Sequence, residues 1–354
     1  MNTLKILLVE DLEDQQKIFA DSVKVFNQKN KEICAVSFEV AKNLFEAVNK
    51  IDGSFDGAIV DLMLGEEKEG GNTAVRKISE TLIRLPIIVV TGWIDLVEDH
   101  PLIIHKRTRD SESYESDLYK LKRISDTGLT RILGGRGTVE KIFQDVFQEN
   151  ILPHIQKWEE YGEKDSDRTE KALLRHTLNH LLQFLNDDKN KYFPEEVYLY
   201  PPLSDKICTG SIVKPKDDVK PKDRKWYVVM NPPCDLVIRD NDRPKTDNIV
   251  LVEIEKEENI IGGKIEKKHK KLFSNEYNFY YHWLPKTNFF EGGILNFRKL
   301  SSLSIEEFNK NYEKPKIQIS PSFVKDILAR FSAYYARQGQ PDIDIEQFLQ
   351  ISPN

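Results

Sequence analysis

Three short aliphatic runs constrain this chain most: Leu4–Val9, Gly57–Val60 and Pro86–Val90. Each stops abruptly on polar residues, at Glu10-Asp11, at Asp61 and at Thr91-Gly92. Runs so dense in aliphatics, with no polar alternation, suit strands buried on both faces, as in a parallel sheet. Helical spacing fills the gaps. Ile18, Phe19, Val23, Val25 and Phe26 mark a helix over 13–27, and Leu44, Phe45, Val48 and Ile51 mark one over 41–51. A third helix is predicted over 73–85, and a further strand at Ile33–Phe38. Alternation of this kind predicts right-handed crossovers and an α/β fold with an open, doubly wound parallel sheet. Such sheets bind ligands beyond the carboxyl ends of their strands. Glu10, Asp11, Asp61 and Thr91 then share one crevice. Three carboxylates in one crevice repel each other, and a hard divalent cation such as Mg2+, held by one to three carboxylates and water, relieves this. A carboxylate beside bound magnesium, with a hydroxyl opposite, is suited to accept a phosphoryl group.

Val9-Glu10-Asp11, Ile59-Val60-Asp61-Leu62-Met63-Leu64 and Val90-Thr91-Gly92 make residues 1–92 resemble a response-regulator receiver domain of two-component signalling. The resemblance implies a flavodoxin-like fold with Asp61 as the phosphorylated residue. It implies Glu10, Asp11 and Asp61 as Mg2+ ligands, joined by the backbone carbonyl of Met63, and Thr91 as a switch hydroxyl. It implies a histidine kinase as phosphodonor. It also implies a lysine at the end of a fifth strand, where it pairs with the phosphoryl group. Lys106, following Leu102-Ile-Ile-His105, is the candidate for this catalytic cation. Only 15 positions separate Thr91 from Lys106, however, which leaves little room for a full fourth helix. The slightly preferred alternative puts the fifth strand at Leu129–Leu133, makes 95–128 an enlarged fourth-helix region, and leaves Arg136 as the nearest cation. In both versions residues 95–137 depart from the usual receiver pattern. A helix from Thr138 to Trp158 then completes a receiver domain over 1–160.

Residues 161–170 are polar and lack apolar period, which predicts a linker. Residues 171–354 form a second, α+β domain. It opens with a helix over Lys171–Leu185, whose His176 and His180 stand at i and i+4, a spacing that metals use. Without a third ligand nearby they read as a surface pair. Short strands at Gly210–Val213, Lys225–Met230 and Asn248–Ile254, joined by long polar loops, predict a small bent β-sheet or barrel. Over 210–230 the layout resembles the SH3-like barrels of toxin-type endoribonucleases. Asn231-Pro-Pro-Cys234-Asp235 fixes a rigid turn. With no histidine close by, Cys234 reads as a buried structural thiol beside a capping acid rather than as a nucleophile. Lys264–Lys271 carries five lysines, and Phe279–Trp283 follows. Basic residues near aromatics can bind phosphate and stack bases, although a solvated loop before a core strand accounts for the same residues. A last helix is expected over Pro321–Arg337.

The chain has 354 residues, which fits two domains. With 39% hydrophobic residues and a net charge of −6 it can build cores and is not a disordered chain. No apolar run reaches 18 residues, so no bilayer span is expected. The N-terminus reads as a strand rather than a signal peptide. Three scattered cysteines argue against a disulfide framework and against a zinc site. A cytoplasmic protein is expected, without a membrane partner. The function expected is that of a phosphorelay protein: Asp61 accepts a phosphoryl group from a partner histidine kinase and switches or buffers signalling through the C-terminal domain. A downstream effector protein is the expected output partner, ahead of nucleic acid. The alternative is a receiver-gated effector enzyme, such as a nuclease in a bacterial stress or phage-defence system.

Overall fold

The computed structural model describes residues 2–65, 70–81, 84–133, 137–186, 191–216, 225–238, 244–263, 266–337 and 345. The chain divides into two compact units, Met1–Asp188 and Lys189–Asn354.

In the first unit the strands are β1 (Asn2–Val9), β2 (Cys34–Ala41), β3 (Gly57–Val60), β4 (Ile87–Thr91) and β5 (Ile103–Thr108). The helices are α1 (Glu13–Lys29), α2 (Leu44–Lys50), α3 (Gly70–Glu80), α4 (Tyr114–Asp126), α5 (Leu129–Leu133), α6 (Thr138–Val146), α7 (Ile155–Lys164) and α8 (Ser166–Asn186). All strand pairings are parallel, in the order β2-β1-β3-β4-β5. This is the flavodoxin-like form of the doubly wound sheet. Strand parity assigns the two cores. Leu7, Val9, Val60 and Val89 face Ala47 of α2 and Val75 and Ile78 of α3. Ile6, Leu8, Ile59 and Val90 face Phe19 and Phe26 of α1 and Leu118 and Leu121 of α4. Each fully buried side chain of this size contributes about 1.5–3 kcal/mol by leaving water, so the aliphatic runs had to be strands with cover on both sides.

The fifth strand lies at Ile103–Thr108, and the preferred placement at Leu129–Leu133 is corrected: those residues form α5. The shortness of the 92–102 connection is real. It holds a single 3-10 turn, Ile94–Leu96, in place of a fourth crossover helix, and β5 still pairs in parallel with β4. The long helix expected from Thr138 is interrupted. A π turn at Phe147–Ile151 and a 3-10 turn at Leu152–His154 separate α6 from α7. Pro153, which has no N–H to donate, sits in the second of these. The expected linker at 161–170 is helical: α7 runs to Lys164 and α8 starts at Ser166.

The second unit contains β6 (Tyr198–Leu199), β7 (Ser211–Val213), β8 (Trp226–Val229), β9 (Asn248–Glu255), β10 (Tyr281–Leu284), β11 (Gly293–Ser304) and β12 (Ile317–Ile319). Its helices are α9 (Pro233–Leu236), α10 (Glu257–Ile261), α11 (Lys270–Phe273), α12 (Ile305–Asn311) and α13 (Pro321–Tyr335). The strands form one antiparallel sheet, β10-β11-β9-β8-β7-β12-β6. A register shift between Leu295 and Leu300 bends the long β11. Val228, Val252 and Phe297 pack with Ile327 of α13 on one face, and Val229 and Leu251 pack with Phe308 of α12 on the other. The sequence pattern of short strands and a bent sheet thus describes this unit's fold. Among the described residues no helix is long and apolar enough to cross a membrane.

Candidate functional site

The carboxyl ends of β1, β3 and β4 lie side by side, and the parallel register sets what meets there. Val9 pairs with Val60, and Val60 in turn with Val89. Glu10 and Asp11 therefore leave β1 beside the point where Asp61 leaves β3. Oxygens of Glu10, Asp11 and Asp61 lie within 4.8 Å of one another. The end of β3 is held rigidly. The Asp61 N–H donates to Val9 O (2.9 Å), and Gly71 N–H at the start of α3 donates to Leu62 O (2.9 Å). Gly71 is needed there, because a Cβ would lie 2.3 Å from the Asp61 carbonyl oxygen. Asp11 braces the following loop by accepting from the Gly65 N–H at 3.0 Å.

Asp61 is almost closed off, with 3% exposed. One carboxylate oxygen accepts the Leu62 N–H at 2.8 Å, and the other accepts Arg109 Nη2 at 2.7 Å. Thr91, fully buried at the end of β4, and Met63 both act to lower the pKa of this carboxylate, and the Thr91 hydroxyl accepts the Trp93 N–H at 3.2 Å. Burial raises the Asp61 pKa, and the Arg109 charge and these donors hold it down. Glu10, 1% exposed, is pushed up to about 7 by burial first and by the Asp61 charge second. Three converging carboxylates, two of them buried with raised pKa values, supply hard oxygen donors that fit a magnesium ion.

The cation beside the cluster is Arg109, whose Nη2 also lies 3.5 Å from both Glu10 oxygens. Lys106, the candidate from the sequence, stands elsewhere. Its ammonium donates to Val97 O (3.1 Å) and Asp99 (2.6 Å). The reason is register. Lys106 pairs with Val89 and Thr108 with Thr91, so Lys106 is two residues short of the strand's carboxyl end, whereas Arg109 is the first residue beyond it. Arg136 lies outside the described residues. Arg107, between them, points to the other face and donates to Asp117 on α4 at 2.6 and 2.8 Å; both are buried. On the same edge His105, Glu112 and Asp117 also cluster. There the Lys120 ammonium lies 2.7 Å from His105 Nε2 and 2.6 Å from Glu112, and compensates the charge.

Other residues singled out in the sequence behave differently. His176 and His180 stack edge to face with Nε2 atoms 3.3 Å apart, and no third ligand joins them among the described residues. Cys234, expected to be buried, is exposed on α9, with its thiol 3.7 Å from Asp235. Pro232 and Pro233 before it are exposed as well, and Leu236 takes the core-facing side of this short helix. Lys264 lies outside the described residues; the other lysines of the run lead into α11.

The sequence matches no known protein family and no curated protein. Among solved structures, the first third of the chain is similar to receiver domains. The receiver domain of the PhyR response regulator from Erythrobacter litoralis is 19% identical, covers 36% of this chain and 92% of its own, and has a TM-score of 0.28. The signal receiver domain of a LuxO repressor protein from Vibrio parahaemolyticus is 18% identical, covering 36% and 96%, at 0.28. The HemR receiver domain from Leptospira biflexa is 22% identical, covering 34% and 93%, at 0.27.

Proposed function

We propose that the chain is a two-component phosphorelay protein in which Asp61 accepts a phosphoryl group and residues 189–354 carry the output. The supporting observation is the constellation at one sheet edge: Asp61 in a three-carboxylate cluster, with the Arg109 guanidinium on its carboxylate and the buried Thr91 hydroxyl at the end of the neighbouring strand. The side chains of Glu10, Asp11 and Asp61, with the Met63 carbonyl, would hold Mg2+. Bound there, the ion supplies charge neutralisation and polarises phosphoryl oxygens. The donor is the phosphohistidine of a partner kinase. An Asp61 oxygen forms the new O–P bond, the N–P bond breaks, and the released imidazole takes a proton from solvent. Arg109 now covers Asp61, so its guanidinium turns from the carboxylate to the incoming phosphoryl oxygens. Its Nε is buried without a partner, and a phosphoryl group offers acceptors to both edges of the fork. Thr91 follows the same charge with its hydroxyl. The modification adds close to two negative charges and biases the β4–β5 edge between two arrangements.

The test is incubation of the full chain with acetyl phosphate and Mg2+, read by intact mass. A gain of one phosphoryl group that disappears in Asp61→Asn is expected. An unmodified mass under conditions that label ordinary receivers would refute the proposal.

A further inference from the structure

The second unit contains a cavity of about 520 Å³, lined by Tyr192, Phe193, Phe273, Trp283, Phe323 and, on its polar side, His282 with Asp326. Its volume is in the range of small-molecule sites. The walls come from three separate stretches that the fold assembles. Tyr192 meets Phe323 of α13 edge to face at 5.5 Å, and Phe273 of α11 meets Trp283 of β10 in the same way at 5.4 Å. Asn275 locks the second pair. Its backbone takes the left-handed conformation, φ 58°, which asparagine tolerates, and its side chain accepts the Trp283 N–H at 2.7 Å. The aromatic walls are thus held by backbone geometry.

The polar side carries an unanswered group. His282 is 5% exposed, and its Nδ1 is buried with no hydrogen-bond partner. Asp326 Oδ2 stands at 3.6 Å, beyond hydrogen-bond length. A buried ring nitrogen without a partner is unfavourable, and a ligand atom reaching it would recover that cost. Burial also lowers the basicity of His282 to about 3, so the ring is neutral and can either donate or accept. Asp326 adds a carboxylate acceptor at the rim, 63% exposed. The short helix that places Phe273 in the wall begins with Lys270 and Lys271 and is preceded by Lys267 and Lys268, all exposed. Aromatic walls, two hydrogen-bonding side chains next to each other, and lysines on the same short helix as the wall residue Phe273 match a base joined to phosphate.

We propose that this cavity binds a nucleotide. Its base lies among Tyr192, Phe193, Trp283 and Phe323, an exocyclic amino group meets His282 and Asp326, and its phosphate lies toward Lys270 and Lys271. The source is a free nucleotide or a nucleotide unit of a single strand, which share this chemistry.

Calorimetric titration of the full chain with AMP, UMP and a short oligoadenylate tests it. Saturable binding of AMP or of the oligomer is expected, with UMP several-fold weaker because it lacks the amino group. Phe193→Ala removes a ring that is 74% exposed, so the fold is spared, and binding should weaken about tenfold. Lys270→Ala with Lys271→Ala should weaken binding and flatten its salt dependence. Tighter binding of AMP points to a free nucleotide, and affinity rising with oligomer length points to a strand; either result supports the proposal. No binding of any of the three at millimolar concentration, or binding that neither variant changes, overturns it. Asp61→Asn leaves this cavity untouched, so the two proposals fail independently.

Discussion

Replacing Arg109 by alanine, with Lys106→Ala beside it, decides which cation serves the Asp61 site. In the present arrangement Arg109 pairs with a single carboxylate charge at 2.7 Å. After transfer it would face nearly two charges on the phosphoryl group. A hydrogen bond between charged partners contributes about 1.5–3 kcal/mol net, and the increase in charge during transfer is of the same order. Each ~1.4 kcal/mol corresponds to about tenfold in rate. Arg109→Ala should therefore slow labelling by acetyl phosphate about ten- to a hundredfold. Removing the side chain also uncovers Asp61, which alone would speed entry, so a net loss shows that charge outweighs access. Lys106→Ala breaks contacts to Val97 and Asp99 and should change the rate by less than about twofold. The assay is the time course of the phosphorylated mass at fixed acetyl phosphate and Mg2+. Labelling of Arg109→Ala at the wild-type rate, or a larger loss in Lys106→Ala, would refute the role given to Arg109.

Other expectations follow from the packing around the two units. Gly71→Ala would press a Cβ into the Asp61 carbonyl, costing about 1–3 kcal/mol; slower labelling and faster hydrogen exchange over 61–65 should result. Asp117→Leu leaves the Arg107 charge buried alone and should destabilise by about 3–5 kcal/mol, while replacing both partners by leucine should recover most of the loss. Hydrogen exchange of β5 and α4 reads this, and a fully additive double variant would contradict it. His282 is held neutral in the folded protein at about 3 against about 6.5 when unfolded. The unfolded chain therefore binds the extra proton, and stability present above pH ~6.5 falls by roughly 1.4 kcal/mol per unit on acidification toward pH 3. Asp326 weakens this little, being largely in water. Denaturant unfolding followed by tryptophan emission should show a shallower acid slope in His282→Phe than in the wild type.

Most of the candidate phosphoacceptor site was legible because β1, β3 and β4 are interior strands. Covered on both faces, they read as unbroken aliphatic runs, and the first polar residue after each run marks a carboxyl end. β5 is an edge strand, paired on one side only. Its sequence, Ile-Ile-His-Lys-Arg-Thr, can be polar, and Ile104 is 43% exposed. The signal that identified its neighbours is absent there, so the more aliphatic Leu129–Leu133 drew the assignment although it is one turn of helix. The error propagated to the site, since Arg109 can be recognised only once the end of β5 is fixed. In the second unit the short strands were visible, but the cavity was not. Its walls come from 192–197, 273–285 and 322–326, and no local period relates segments so far apart.

The choice of arginine over lysine at position 109 is itself testable. Lysine offers a compact charge on a flexible stem, whereas arginine presents several donors in a fixed plane. Arg109 reaches Glu10 and Asp61 together with one nitrogen, and its Nε remains without a partner. Arg109→Lys keeps the charge that counters the cluster, so Asp61 should remain labelled at a rate between those of the wild type and Arg109→Ala. It removes the planar fork, so the phosphorylated form should lose the second contact that orders the β4–β5 edge. The expected signature is a split: transfer is only partly impaired, while protection of 103–109 from hydrogen exchange on phosphorylation is reduced. Equal protection in Arg109→Lys and the wild type would mean that charge alone performs the switch and that the geometry of the guanidinium is incidental.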